Sequence, residues 1–308
     1  MCFQHNFWPL FVSGIENGSV YALVALGYTL VYGVLQLINF AHSEVFMSGA
    51  FGGLFAVQAV VGSSTPSGWA SVGYIALGIA AGAVVGGIAA FVLERVAYRP
   101  LRRRGAPPLA FLISAIGASF FALNLAGKEF GSNPISVPQL YQEHALFHIF
   151  GAPVLNTYVI IVCVALGFYL IVDRVIAKTR LGQGIRAVAQ DAETASLMGV
   201  NVERIIVATF VLGGLLGGAG GFLYGVAYNV QFNMGFFPGL KAFTAAVLGG
   251  IGNIRGAVVG GLLLGVIEAL GVSCIQTEWS DTIAFLVLVL VLMVKPTGLF
   301  GESLGRAA

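Results

Sequence analysis

Long apolar runs recur along the whole chain, and they restrict its possible folds more than any other feature. They lie roughly at residues 8–35, 45–62, 69–93, 108–127, 156–172, 202–228, 241–272 and 282–294. Several approach or exceed the ~20 residues a helix needs to cross ~30 Å of hydrocarbon. Inside a bilayer no water can satisfy a bare backbone, so such runs must close their own hydrogen bonds as helices. The expected fold class is all-α: a polytopic transmembrane helical bundle of about 8 membrane segments, with broken or re-entrant helices. Only 9% of the 308 residues are charged, against ~25% in an ordinary soluble domain. No stretch is left for a separate soluble unit, so residues 1–308 are expected to form a single transmembrane domain.

The few charges inform topology. A net charge of +2 is too small to suggest nucleic-acid binding. Basic residues gather in two gaps between apolar runs: Arg95, Arg99, Arg102, Arg103 and Arg104, then Arg174, Lys178, Arg180, Arg186 and Arg204. The positive-inside rule makes both gaps cytoplasmic loops, which puts residues 128–155 outside and Lys295 and Arg306 inside. The start lacks a basic n-region and a small-residue cleavage site, so the first helix is expected to be retained. Cys2, Cys163 and Cys274 have no disulfide or metal spacing and read as buried, inert thiols.

Two places break the helical pattern. The run 241–272 has 32 residues, only ~48 Å of helix and short of two crossings. Its flanks nevertheless both fall outside. A re-entrant hairpin broken at Leu-Gly-Gly-Ile-Gly-Asn-Ile-Arg-Gly, residues 248–256, satisfies both ends; a helix pair with one short tilted member is the alternative. Earlier, Leu-Ile-Asn-Phe-Ala-His-Ser-Glu, residues 37–44, interrupts what would otherwise be one long run. Glycines at four-residue spacing (Gly78, Gly82, Gly86; Gly213, Gly217, Gly221, Gly225; Gly256, Gly260) make flat stripes for close helix contact, within the chain or with a second membrane subunit.

Ionisable groups at membrane depth are costly and face a cavity or a partner. The candidate substrate path therefore takes Asn39, His42 and Glu44 at the first break, Asn253 at the second, and the isolated carboxylate Glu268. Glu44 would meet a substrate ammonium, while Asn39 and His42 would offer hydrogen bonds. A turn at the cytoplasmic edge, with Asn39 as a cap, explains the first group equally well, and a structural pairing explains Glu268. The second basic gap, about residues 178–204, is too long for a simple connection. Asp191 fits an N-cap and Gly199 a C′ residue for a short helix from Ala192 to Met198. That helix would present Ala192, Ala195 and Met198 along one side, with Glu193, Thr194 and Ser196 elsewhere, and suits docking in a shallow groove of a soluble partner. A solvated linker is the plainer reading.

Motifs for catalysis are missing: there is no phosphate loop, no H-E-x-x-H helix and no G-x-S-x-G turn. The chain is expected to be no enzyme and to bind no cofactor. Besides His5 and His42, the histidines form one i, i+4 pair, His144 and His148, which reads as an exposed pair or a metal site.

Five segments together are specific for one family: 18–44 ending in Asn-Phe-Ala-His-Ser-Glu, 108–125, 180–206, 241–261 and 287–302. Over nearly its whole length the chain resembles the permease subunits of high-affinity branched-chain amino acid ABC importers, and looks like the first of their two related permeases. The resemblance implies a multi-pass protein of the bacterial inner membrane that works with a second permease, two ABC ATPase subunits that use ATP, and a periplasmic substrate-binding protein. It implies that Asp191, Ala192, Glu193, Thr194, Ala195, Met198 and Gly199 form the ATPase-coupling helix. Asn39, Phe40, Ala41, His42 and Glu44 match the family's N-F-A-H-x-E signature, with Ser43 where glycine is usual. Permeases for urea or short-chain amides look similar, and a stand-alone secondary carrier is the rival class, a membrane-embedded enzyme a distant third.

Overall fold

The structure, a computed structural model, describes residues 7–61, 69–274 and 277–301, without the side chains of Cys274 and Thr277. Cys2, His5, Gly62, Glu302 and Arg306 lie outside the described residues. Twelve α-helices occur among them: α1 Phe7–Leu35, α2 His42–Val60, α3 Trp69–Leu93, α4 Arg99–Arg103, α5 Pro108–Phe130, α6 Asn156–Lys178, α7 Arg180–Gln190, α8 Ala192–Leu197, α9 Val202–Tyr228, α10 Phe236–Gly249, α11 Ile254–Cys274 and α12 Ser280–Val294. Seven helical spans are long and apolar enough to cross a membrane, while α10 and α12 are shorter apolar helices.

Their directions follow from close contacts. Gly27 of α1 faces Gly213 of α9, and Gly14 faces Gly265 and Val266 of α11, so α1 is antiparallel to both. Arg99 and Arg103 reach Glu203 at the start of α9, so the two basic regions share one end of the bundle. By the positive-inside rule that end is cytoplasmic, and α1 starts outside. α1 is apolar on every side and buried along most of its length, whereas α5 and α6 turn Leu109, Phe120, Leu166 and Ile171 outward. A helix hydrophobic all round is either a core helix or a lipid-facing one, and this bundle contains both kinds.

The glycine stripes are internal contacts. Gly82 and Gly86 of α3, Gly49 of α2 and Gly218 of α9 bring three backbones together, with a Cβ at Gly86 falling 2.7 Å from Gly218 Cα. Glycine is required there because no side chain fits between the helices.

Three sequence expectations need correction, and one segment carries structure the sequence did not suggest. The first basic cluster is no loop: the helix of α3 continues through a π turn, Glu94–Tyr98, into α4. Pro100 lacks an N–H and its ring crowds the preceding turn, and a widened turn accommodates both. The second basic gap holds an additional helix, α7, capped by Thr179, which accepts from Gly182 N at 3.1 Å. Residues 145–155 form a small hairpin, β1 Ala145–Ile149 and β2 Ala152–Leu155, turning through Phe150 and Gly151 at positive φ. His148 lies in β1; four residues of extended chain span ~13 Å, so His144 and His148 lack the shared helical face a metal pair would need. Finally, Cys163 is free and exposed on α6 rather than buried.

Candidate functional site

The chain leaves α1 at Gln36, which takes a left-handed φ of 54°, and re-enters helix only at His42. The first turn of α2 packs on Gly217, fifteen residues or ~22 Å from the start of α9 (217 − 202 = 15). Glu44 also reaches Ser119, near the middle of α5, whose hydroxyl donates to Oε1 at 3.0 Å. His42 and Glu44 therefore lie level with the middle of α9 and α5, while Asn39 reaches Tyr98 beside the basic end. Asn39 does not cap α2: its Oδ1 accepts from the Tyr98 hydroxyl at 3.0 Å, and no side chain caps Ala41. Ser43 is helical, its hydroxyl donating to Phe40 O at 2.7 Å, so this turn does not require the family's glycine.

Asn39, His42 and Glu44 thus form one buried group, at 2%, 1% and 3% exposure. The His42 ring lies edge-on to Tyr28 at 4.7 Å and sits where a Cβ on Gly27 would be. His42 Nε2, Glu44 Oε2 and Thr29 Oγ1 are buried without a hydrogen-bond partner. Orphaned polar atoms in a dry interior are expensive, and Glu94, Arg99, Arg102 and Glu268 carry others elsewhere in the bundle. Below them Tyr28, Tyr32, Leu37 and Phe243 leave a space of only about 10 Å³. These aromatic rings leave no room there for a small molecule.

Glu268 and Asn253 stand apart. Glu268 is on α11 near the level of Gly14, thirteen residues of α1 from Gly27, or ~20 Å (27 − 14 = 13). Lys241 of α10 donates to Glu268 Oε1 at 2.9 Å and pairs with Asp281 at 2.7 Å. Ser280 also donates to Glu268, at 2.5 Å. This cluster ties α10, α11 and α12 together at the outer end. In the sequence Lys241 only opens an apolar run, and no local signal pairs it with a carboxylate 27 residues away. Asn253 caps α11, accepting from Gly256 N at 3.0 Å, and donates to Phe300 O at 3.0 Å. It ties the tail to the second break. That break is a hairpin of a half-length helix, α10 with 14 residues, and a full span, α11 with 21. Its turn uses Gly250 and Gly252 at positive φ, and Leu299 N and Phe300 N donate to Leu248 O and Gly249 O.

At the cytoplasmic end, Asp191 caps α8: Oδ1 accepts from Glu193 N at 2.9 Å and Thr194 N at 3.1 Å, and Oδ2 from Thr194 Oγ1 at 2.6 Å. Gly199 ends it at a φ of 86°. The exposed side differs from the expected one. Ala195 is buried against the bundle, Ala192 and Met198 are outward, and Leu197, not singled out from sequence, joins them at 84% exposure beside Met198 at 81%. A six-residue helix buries the one position that points at its support, and the shortness of the segment hid which that was.

A bundle of membrane-length apolar helices with a buried polar break and an exposed, capped helix on the basic side fits a membrane transport component. Residues 10–292 match the family described as "Branched-chain amino acid transport system / permease component". The chain belongs to that family. It is 41% identical over 294 residues, 94% of each chain, to the high-affinity branched-chain amino acid transport system permease protein LivH of Escherichia coli K12. It is 40% identical over 306 residues, 97% of each, to the corresponding protein BraD of Pseudomonas aeruginosa. A partial likeness, 32% identical over 127 residues and 39% of this chain, joins it to the fructose import permease FrcC of Rhizobium meliloti. No solved structure matches it significantly.

Proposed function

We propose that this chain carries branched-chain amino acids across the bacterial inner membrane as one of two related permease subunits of an ABC importer. Two ATPase subunits bind ATP and dock on α8, and a periplasmic binding protein delivers the substrate; this chain holds no cofactor of its own. The near full-length identity to permeases named for high-affinity branched-chain amino acid transport carries the reading. The buried Asn39, His42 and Glu44 group supports a polar station on the path, with the Glu44 carboxylate facing the substrate ammonium. Closure of the ATPases pushes α8, rocks the helices above it and moves the Tyr28, Tyr32 and Phe243 rings aside.

The test is uptake of labelled leucine and labelled urea in cells lacking the chain, complemented with the intact protein or with Glu44→Ala. Leucine uptake restored by the intact chain and reduced at least ~10-fold in Glu44→Ala, as for a lost charged contact, is the expected result. Loss and rescue of urea uptake with leucine unchanged would keep the transporter and overturn the substrate. Transport by this chain alone in liposomes would overturn the partners.

A further inference from the structure

We propose that the groove between α3 and α9 on the cytoplasmic side binds the phosphate headgroup of an anionic phospholipid through Arg95, Arg99 and Arg204. The groove has a volume of about 670 Å³. The three guanidiniums lie along its rim, and Phe91, Val207 and Val211 line its wall one to two helical turns further into the membrane.

The charge count at this rim leaves an excess of cation. Glu203 is the acid lining the groove, and it is already shared by Arg99 and Arg103 at 2.5 Å and 3.2 Å. Among the described residues neither Arg95 nor Arg204 makes an ion pair, and both are exposed. Arg99 Nε is buried with no hydrogen-bond partner. Guanidiniums match phosphate oxygens in planar, two-point geometry. A basic pocket between transmembrane helices on the cytoplasmic side is what an anionic headgroup recognises.

The walls select the lipid over a free phosphate. A soluble anion would use the rim alone and leave the apolar cleft unfilled, whereas two acyl chains continue from a headgroup into it. Phe91 and Arg95 are one turn apart on the same helix, so headgroup and chain contacts fall on a single exposed stripe.

Native mass spectrometry of the full-length chain in non-ionic detergent, with equimolar phosphatidylglycerol and phosphatidylcholine of matched acyl chains, tests this. The wild type retains phosphatidylglycerol preferentially, and the paired variant Arg95→Gln with Arg204→Gln loses about thirtyfold of that preference, the worth of two interfacial guanidiniums. Arg180→Gln, which removes an exposed charge outside the groove, leaves the preference unchanged. Val211→Trp fills the cleft and lowers retention of both lipids. The proposal is overturned by an unchanged preference in the paired variant or by an equal loss in Arg180→Gln. Complete displacement of phosphatidylglycerol by millimolar inorganic phosphate would instead make this a free-anion site. A photo-cross-linker at Val211 that captures a partner subunit in the assembled complex, and no lipid, would make it a protein interface.

Discussion

Asp191 shows how one side chain sets the state of a functional element. Its carboxylate is held below the ordinary aspartate pKa by the Thr194 hydroxyl, then by the Thr194 and Glu193 N–H groups. All three interactions favour the ionised form. A carboxyl whose folded pKa is depressed stabilises the fold fully above its unfolded pKa, and that contribution is lost as pH falls through the folded value. Amide-exchange protection of α8, corrected for intrinsic rates, should therefore stay level through neutral pH and decline below about pH 4. Asp191→Asn keeps an acceptor for the cap but cannot titrate, so its protection should show no such decline; the same decline in both proteins would refute the assignment. Asp191 and Gly199 were legible in the sequence because capping depends on residue type at a fixed local spacing. The Asn39 to Tyr98 hydrogen bond was not, since its partners are 59 residues apart and meet only after α2 and α3 have packed.

At the scale of elements, apolar length and charge placement located most of the spans, while packing decided their ends. The π turn before Pro100 and the capped α7 both extend helix into segments whose charge suggested loops, because charge reports which side of a membrane a segment occupies and not whether it is helical. Glycine spacing did report packing. A methyl at Gly218 would run into the backbone of Gly82, whereas Gly117 has open space on its Cβ side. Gly218→Ala is expected to destabilise the bundle by about 1–3 kcal/mol, as overpacking does, and Gly117→Ala to be neutral or stabilising by about 0.5–1 kcal/mol. Thermal unfolding in one detergent checks the pair, and equal shifts would remove the special role of the α2, α3 and α9 contact. The outer cluster makes a second prediction. Lys241→Met leaves Glu268 buried without its cation and should cost about 3–5 kcal/mol. Adding Glu268→Leu should recover much of that loss. A double variant no better than the single would show that the cost comes from the lost Lys241 links to Ser280 and Asp281 and not from an unpaired Glu268.

Across the whole molecule the polar break and the exposed helix lie far apart, and a transporter has to connect them. The connection has structural parts: α8 rests on α7 and α9 through the buried Ala195, α9 carries Gly217 against His42, and Glu44 reaches α5. Under the proposed function a push on α8 reaches the break along α9, provided that something grips its outer side. Leu197 and Met198 are the apolar groups presented there. They do not stabilise this chain, so their replacement separates docking from folding. Leu197→Asp with Met198→Asp should leave thermal unfolding within ~0.5 kcal/mol of wild type, as surface changes do. In the assembled transporter it should abolish leucine uptake and detach ATP hydrolysis from delivered substrate, because two charges would have to be buried unpaired in the ATPase groove. Unchanged uptake would mean that the partner grips elsewhere, on the exposed arginines of α4 or on α7.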